Sequence, residues 1–148
     1  MYFRIRLISA LPIRQAILRT LELSPSRSTP EQIADARHLL DRKFDQTIVV
    51  AIAPDTTHFG GQAGAGSPVF GPLFQTFSSA VTSTLRNNTF LEVDNGKRVF
   101  LQEYQPPAPD GLGATFVFPR LVDNVPLITS AVRSVRFFAR FPLQPSLK

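Results

Sequence analysis

Between Gln46 and Ala53 the chain reads Ile48-Val49-Val50-Ala51-Ile52, a β-branched apolar run with no polar residue inside it. A strand with one face in water alternates polar and apolar side chains. This one does not, so it is expected as a central strand covered on both faces. Pro54-Asp55 ends it, because proline cannot donate to a ladder.

The flanking segments read as the covers. Phe3, Ile5 and Leu7 alternate with Arg4 and Arg6, which predicts a short strand over 2–9. Pro12 suits a first helical turn, and Ile13, Ile17, Leu18 and Leu21 recur on one face of a helix over 12–22. Arg14, Gln15, Arg19 and Glu22 are expected on the opposite, solvated face. After a Ser/Pro linker over 24–28, Thr29, Pro30 and Gln32 spell an N-cap, an N1 proline and the third residue of a capping box. With Ile33, Ala36, Leu40 and Phe44 at helical spacing, they predict a helix over 30–43.

A Gly-rich loop is expected over 54–69, then a helix over 71–86 with Leu73, Phe74, Phe77, Val81 and Leu85 inward. The remainder reads as a meander. Thr89–Val93 and Arg98–Tyr104 are joined by a type I′ turn at Asn95-Gly96. A Pro-rich loop over 105–111 follows, with further strands over 114–118 and 131–141 and a frayed tail after Pro142. The expected class is α+β: an antiparallel meander of about four or five strands with two or three helices on one face. A length of 148 residues suits one domain, with 1–28 open as a peripheral or targeting segment.

The charge is uneven. Residues 1–44 carry eight basic and four acidic groups, 45–123 four and seven, and 124–148 four and none, which sums to the net +5. Basic ends attract anionic partners such as nucleic acid or a lipid surface, and equally serve solubility. There is no cysteine, which rules out disulfides, thiol nucleophiles and Cys-ligated metal centres. No apolar run approaches the ~20 residues of a membrane-spanning helix. Arg4 and Arg6 before a short apolar stretch make a poor secretory leader. The cytoplasm is therefore the working expectation, with export or organellar targeting open, as is a natural start further upstream.

Chemistry can be sought in four places. The loop holding Gly60, Gly61, Gly64 and Gly66 precedes a helix and could offer N–H groups to an anion. It lacks the Gly-Lys-Ser/Thr ending of a phosphate loop, and its glycines run in the reverse of dinucleotide-binding spacing. Asp55, His58 and Ser67 can be assembled on paper as an acid, base and nucleophile, though no Gly-x-Ser-x-Gly elbow accompanies them. With two histidines in the chain, a zinc site would need His38, His58 and a carboxylate together, and no metal or cofactor is expected. Glu92 and Glu103 could face each other across the hairpin, as a carboxylate pair or as part of a charged sheet face.

The last strand carries Arg133, Arg136 and Arg140, with Phe138 on the face of the latter two. Cations beside an exposed ring can hold single-stranded nucleic acid, and arginines also protect an edge strand from aggregation. Asn87-Asn88-Thr89 is a formal glycosylation acceptor, meaningful only on a eukaryotic secretory route. The leading expectation is a non-catalytic module that binds a protein, a ligand or a second copy of itself. A hydrolase built on Asp55 and His58, and a nucleic-acid binder built on the C-terminal arginines, are the alternatives.

Overall fold

The computed structural model describes residues 3–55 and 71–141. In chain order these form β1 (Phe3–Leu7), α1 (Leu11–Glu22), α2 (Pro30–Asp41), β2 (Thr47–Pro54), α3 (Gly71–Ser79), α4 (Thr82–Leu85) and a 3-10 turn at Arg86–Asn88. There follow β3 (Thr89–Val93), β4 (Arg98–Phe100), β5 (Glu103–Gln105), β6 (Ala114–Pro119), β7 (Leu121–Val122), β8 (Val125–Pro126) and β9 (Val135–Ala139). All pairing is antiparallel. One sheet has the order β1-β2-β6-β5, a second β4-β3-β9, and β7-β8 is a small ribbon. The α+β class with an antiparallel sheet is as the sequence implies.

β2 is buried on both faces. Ile48, Val50 and Ile52 point into the main core with Phe116 and Phe118 of β6, Leu91 and Val93 of β3, Phe77 of α3 and Leu85 of α4. Val49 and Ala51 point the other way, into a smaller cluster with Ile8 and Phe44 beneath Ile17 of α1 and Leu39 of α2. The layers therefore run α1 and α2, first sheet, main core, second sheet.

The strands of the C-terminal half divide between the two sheets, which the pattern of apolar residues did not reveal. The strand expected over 98–104 is two strands. The Leu101 N–H donates to the Thr89 carbonyl at 3.0 Å, keeping it with the second sheet, and the Gln102 N–H donates to the Val117 carbonyl at 2.9 Å, joining the first. A chain that changes sheets at such a corner closes the edge of the core between them.

The helix expected over 71–86 is also interrupted. α3 stops at Ser79, and Val81 is extended (φ −130°, ψ 157°) before α4. The Tyr104 hydroxyl donates to the Phe77 carbonyl, and the Tyr104 N–H donates to Thr82 Oγ1 at 3.0 Å. β5 thus takes up the Phe77 carbonyl, which a continuous helix would pair with the Val81 N–H. With the break, Phe77 and Leu85 stay inside while Phe74 and Val81 are exposed, against the expected inward face. Burial pushes the Tyr104 phenol well above its ordinary ionisation range.

Several local signals hold. Thr29 and Gln32 form a reciprocal capping box at α2. The hairpin forms where Asn95-Gly96 marks it, but not as the expected type I′ turn: of the two only Gly96 has positive φ, +82°. The Gly96 N–H donates to the Val93 carbonyl at 2.8 Å and the Val93 N–H to the Lys97 carbonyl at 3.0 Å, so the loop is three residues long, with Asn95 Oδ1 accepting from the Lys97 N–H. Gly113 has φ +89°, and a Cβ there would lie 2.2 Å from the Ile52 carbonyl oxygen, so β6 can lie against β2 only through glycine. The β7-β8 ribbon turns on Asp123 and Asn124, both at positive φ, a signal the sequence reading passed over.

Arg14 is the clearest reversal. Expected on the wet face of α1, it is buried. Its Nη1 donates to the carbonyls of Leu39, Leu40 and Arg42, and its guanidinium lies 4.8 Å from the centre of the Phe44 ring. A helix C-terminus leaves carbonyls without partners and carries partial negative charge, and one guanidinium answers both. From the far side Arg120 Nε donates to the Phe44 carbonyl at 2.9 Å. Replacing Arg14 with Met keeps the stem and removes the donors. It is expected to cost about 2–3 kcal/mol, the range for buried acceptors losing a charged donor, read as a lower midpoint in urea unfolding. An unchanged midpoint would contradict this role.

Candidate functional site

The second sheet has an inner and an outer face, and alternation sorts them. Leu91, Val93, Val99, Phe137 and Ala139 face the main core. Phe90 and Glu92 of β3, Arg98 and Phe100 of β4, and Arg136 and Phe138 of β9 face outward.

The register arranges these into two rows. Phe90 is opposite Phe100 on one side and Phe138 on the other. The Phe90 and Phe138 rings are stacked at 5.0 Å with 19° between planes, and Phe90 meets Phe100 edge-on at 5.7 Å. Phe100 and Phe138 are 48% and 49% exposed, high for rings of this size.

In the next row Glu92 lies opposite Arg98 and Arg136. Arg98 Nε bonds to Glu92 Oε2, and Arg136 Nη1 is 3.8 Å from Glu92 Oε1. The Arg98 guanidinium also lies 4.6 Å from the centre of the Phe90 ring. Just beyond β9 the Arg140 N–H donates to the Asn88 carbonyl at 3.1 Å, which continues the pairing past the last ladder residue. The outer face thus carries a row of rings flanked by Arg98, Arg136 and Arg140, with Glu92 as the carboxylate among them.

Of the arginines picked out from sequence, Arg136 and Arg140 follow the strand alternation with Phe138, and Arg133 does not. It precedes β9 in the irregular connection, where its backbone N–H donates to the Asp94 carboxylate at 3.0 Å. Phe90, Phe100 and Arg98 escaped notice: a two-residue turn at Asn95-Gly96 would set Phe90 opposite Leu101, and it is the three-residue connection over 94–96 that brings Phe90 opposite Phe100.

Asp55 follows β2 and accepts from Arg4 Nη2 at 3.1 Å. His58, Ser67 and Gly60, Gly61, Gly64 and Gly66 lie outside the described residues. Glu92 and Glu103 do not face each other. Glu103 is in the first sheet opposite Val117, because the chain has changed sheets between them. His38 is exposed on α2. Among the described residues no group of three His, Cys, Asp or Glu could hold a metal ion, and no helix is long and apolar enough to cross a membrane.

Comparison with protein-family models, with curated proteins and with solved structures gave no match.

If the outer rings are surface features, removing them leaves the fold nearly intact. Phe100→Ser and Phe138→Ser are each expected to cost about 1 kcal/mol or less, the scale of one aromatic pair, whereas Phe116→Ala in the core should cost about 3–5 kcal/mol. Urea unfolding of the three variants checks this, and equal losses would contradict the division into faces.

Proposed function

We propose that this protein is a non-catalytic binding domain that holds single-stranded nucleic acid on the outer face of its second sheet. The observation that carries the proposal is the row Phe100-Phe90-Phe138, half open to water and bordered by three arginines.

Each element of that face has a use in such a complex. Unpaired bases offer apolar faces that stack on exposed rings irrespective of sequence, and arginine pairs with the phosphates between them. Glu92 is compatible with an anionic ligand because Arg98 and Arg136 already offset its charge. A duplex hides its base faces in the stack and gains nothing from the rings. The net charge of +5 favours encounter with a polyanion. A protein partner would use the same rings but has no general need of the arginines.

Fluorescence anisotropy with a labelled twelve-residue oligothymidylate tests the proposal. Binding is expected at low salt, weakening as salt rises, with a slope near −2 on logarithmic axes if three cations each release about 0.7 counterion. Phe138→Ala should weaken binding by about 1–3 kcal/mol, the cost of one lost stacking contact. Arg136→Ala and Arg140→Ala should each flatten the salt slope. A duplex that binds equally well, or a Phe138→Ala variant that binds like the parent, would contradict the proposal. Salt-insensitive self-association through the same rings would favour a protein partner instead.

A further inference from the structure

A second site lies on the opposite side of the molecule, where α1 crosses β1. The pairing of β1 with β2 sets Arg4 opposite Ala53 and Arg6 opposite Ala51, so both arginines point to the helical side of the first sheet. A cleft of about 500 Å³ opens on that side, between these arginines and α1. Its apolar lining includes Ile13, Ile17, Leu21 and Leu112, and its charged lining is Arg4, Arg6, Arg27 and Asp110. A neighbouring cleft of about 390 Å³ shares Ile17, Leu21 and Leu112 and continues past Ala36 to Leu39. Together they form a trough that is basic at one end, with an apolar wall of Ile17, Leu21, Leu112 and Leu39 and polar groups, Asp35 and His38 among them, at its far end.

The charges at the basic end are unevenly matched. Arg4 has Asp55, at 3.1 Å. Asp110 turns Oδ1 to the Leu112 N–H at 2.9 Å, which fixes its own loop. Arg6, half-buried, has no carboxylate partner among the described residues, and neither does Arg27. Burial, and then the like charge of Arg4, push the Arg6 guanidinium below its ordinary value. Removing a cation from water without a counter-charge is unfavourable, and a bound anion would reverse that cost. A guanidinium fork also matches the two oxygens of a carboxylate.

We propose that this trough binds a small amphipathic carboxylate, its head on Arg6 and Arg27 and its apolar body along Ile17, Leu21 and Leu112. The site shares no residue with the aromatic face and stands independently of the nucleic-acid proposal. A ligand with only a charged head would leave the apolar walls wet, and one with only an apolar body would leave Arg6 unmatched.

Isothermal titration calorimetry with decanoate, kept below its micelle concentration, tests this on the full chain. Saturable binding of one decanoate per protein is expected. Decylammonium, with the same tail and the opposite charge, should bind at least about tenfold more weakly, and Arg6→Met should weaken decanoate about tenfold, in line with loss of a charged partner. Arg27→Met lies in an exposed connection and carries the same expectation if Arg6→Met does not fold. Phe138→Ala should leave decanoate binding unchanged. No saturable binding, equal binding of the two amphiphiles, arginine variants that bind like the parent, or sensitivity to Phe138→Ala would each overturn the proposal.

Discussion

The burial of β2 on both faces governs the architecture. Ile48, Val50 and Ile52 need one cover, and Val49 and Ala51 need another. The helical pair meets the second demand, and the second sheet, with α3 and α4, meets the first. Each large aliphatic side chain buried this way contributes roughly 1.5–3 kcal/mol, so exposing Ile48, Val50 and Ile52 alone would cost about as much as a small domain's net stability. The second sheet serves the core with its inner face alone. Its outer face is released from the demands of folding, and there the exposed rings stand in register.

The arginines divide according to what they meet. Arg14 and Arg120 are spent on main-chain carbonyls around Phe44, fixing the link from α2 into β2. Arg37 and Arg4 pair with carboxylates at the surface, where such pairs contribute little to stability. Arg98 and Arg136 share Glu92 beside the aromatic row. Arg6 and Arg27, which have no carboxylate partner among the described residues, border a trough with an apolar wall. A composition rich in arginine thus resolves into scaffold, surface and two prospective anion sites on opposite sides of the first sheet's core.

Much of this was legible beforehand. The β2 run and the Thr29–Gln32 capping box are local signals, decided by residues a few positions apart, and they survive in the fold; the Asn95-Gly96 hairpin survives in place, with a three-residue loop instead of the expected type I′ turn. What escaped depends on distant partners. Periodicity assigns Arg14 to water because it cannot see the carbonyls at the end of α2, 25 to 28 residues away. It runs a helix through Ala80 and Val81 because it cannot see Tyr104 taking the Phe77 carbonyl. It joins Arg98 to Tyr104 because nothing in that stretch announces a change of sheet. The candidate face was half visible: Arg136, Phe138 and Arg140 stand on one strand, but the row becomes a platform only when β3 and β4 bring Phe90 and Phe100 alongside.

The most direct measurement is a nuclear magnetic resonance titration of the isotope-labelled protein with oligothymidylate at low salt. The account predicts that ring and amide signals of Phe90, Phe100 and Phe138, with those of Arg136 and Arg140, shift together and saturate, while signals of Ile17, Leu21 and Leu112 stay in place. Shifts centred elsewhere, or none in the aromatic row, would contradict it.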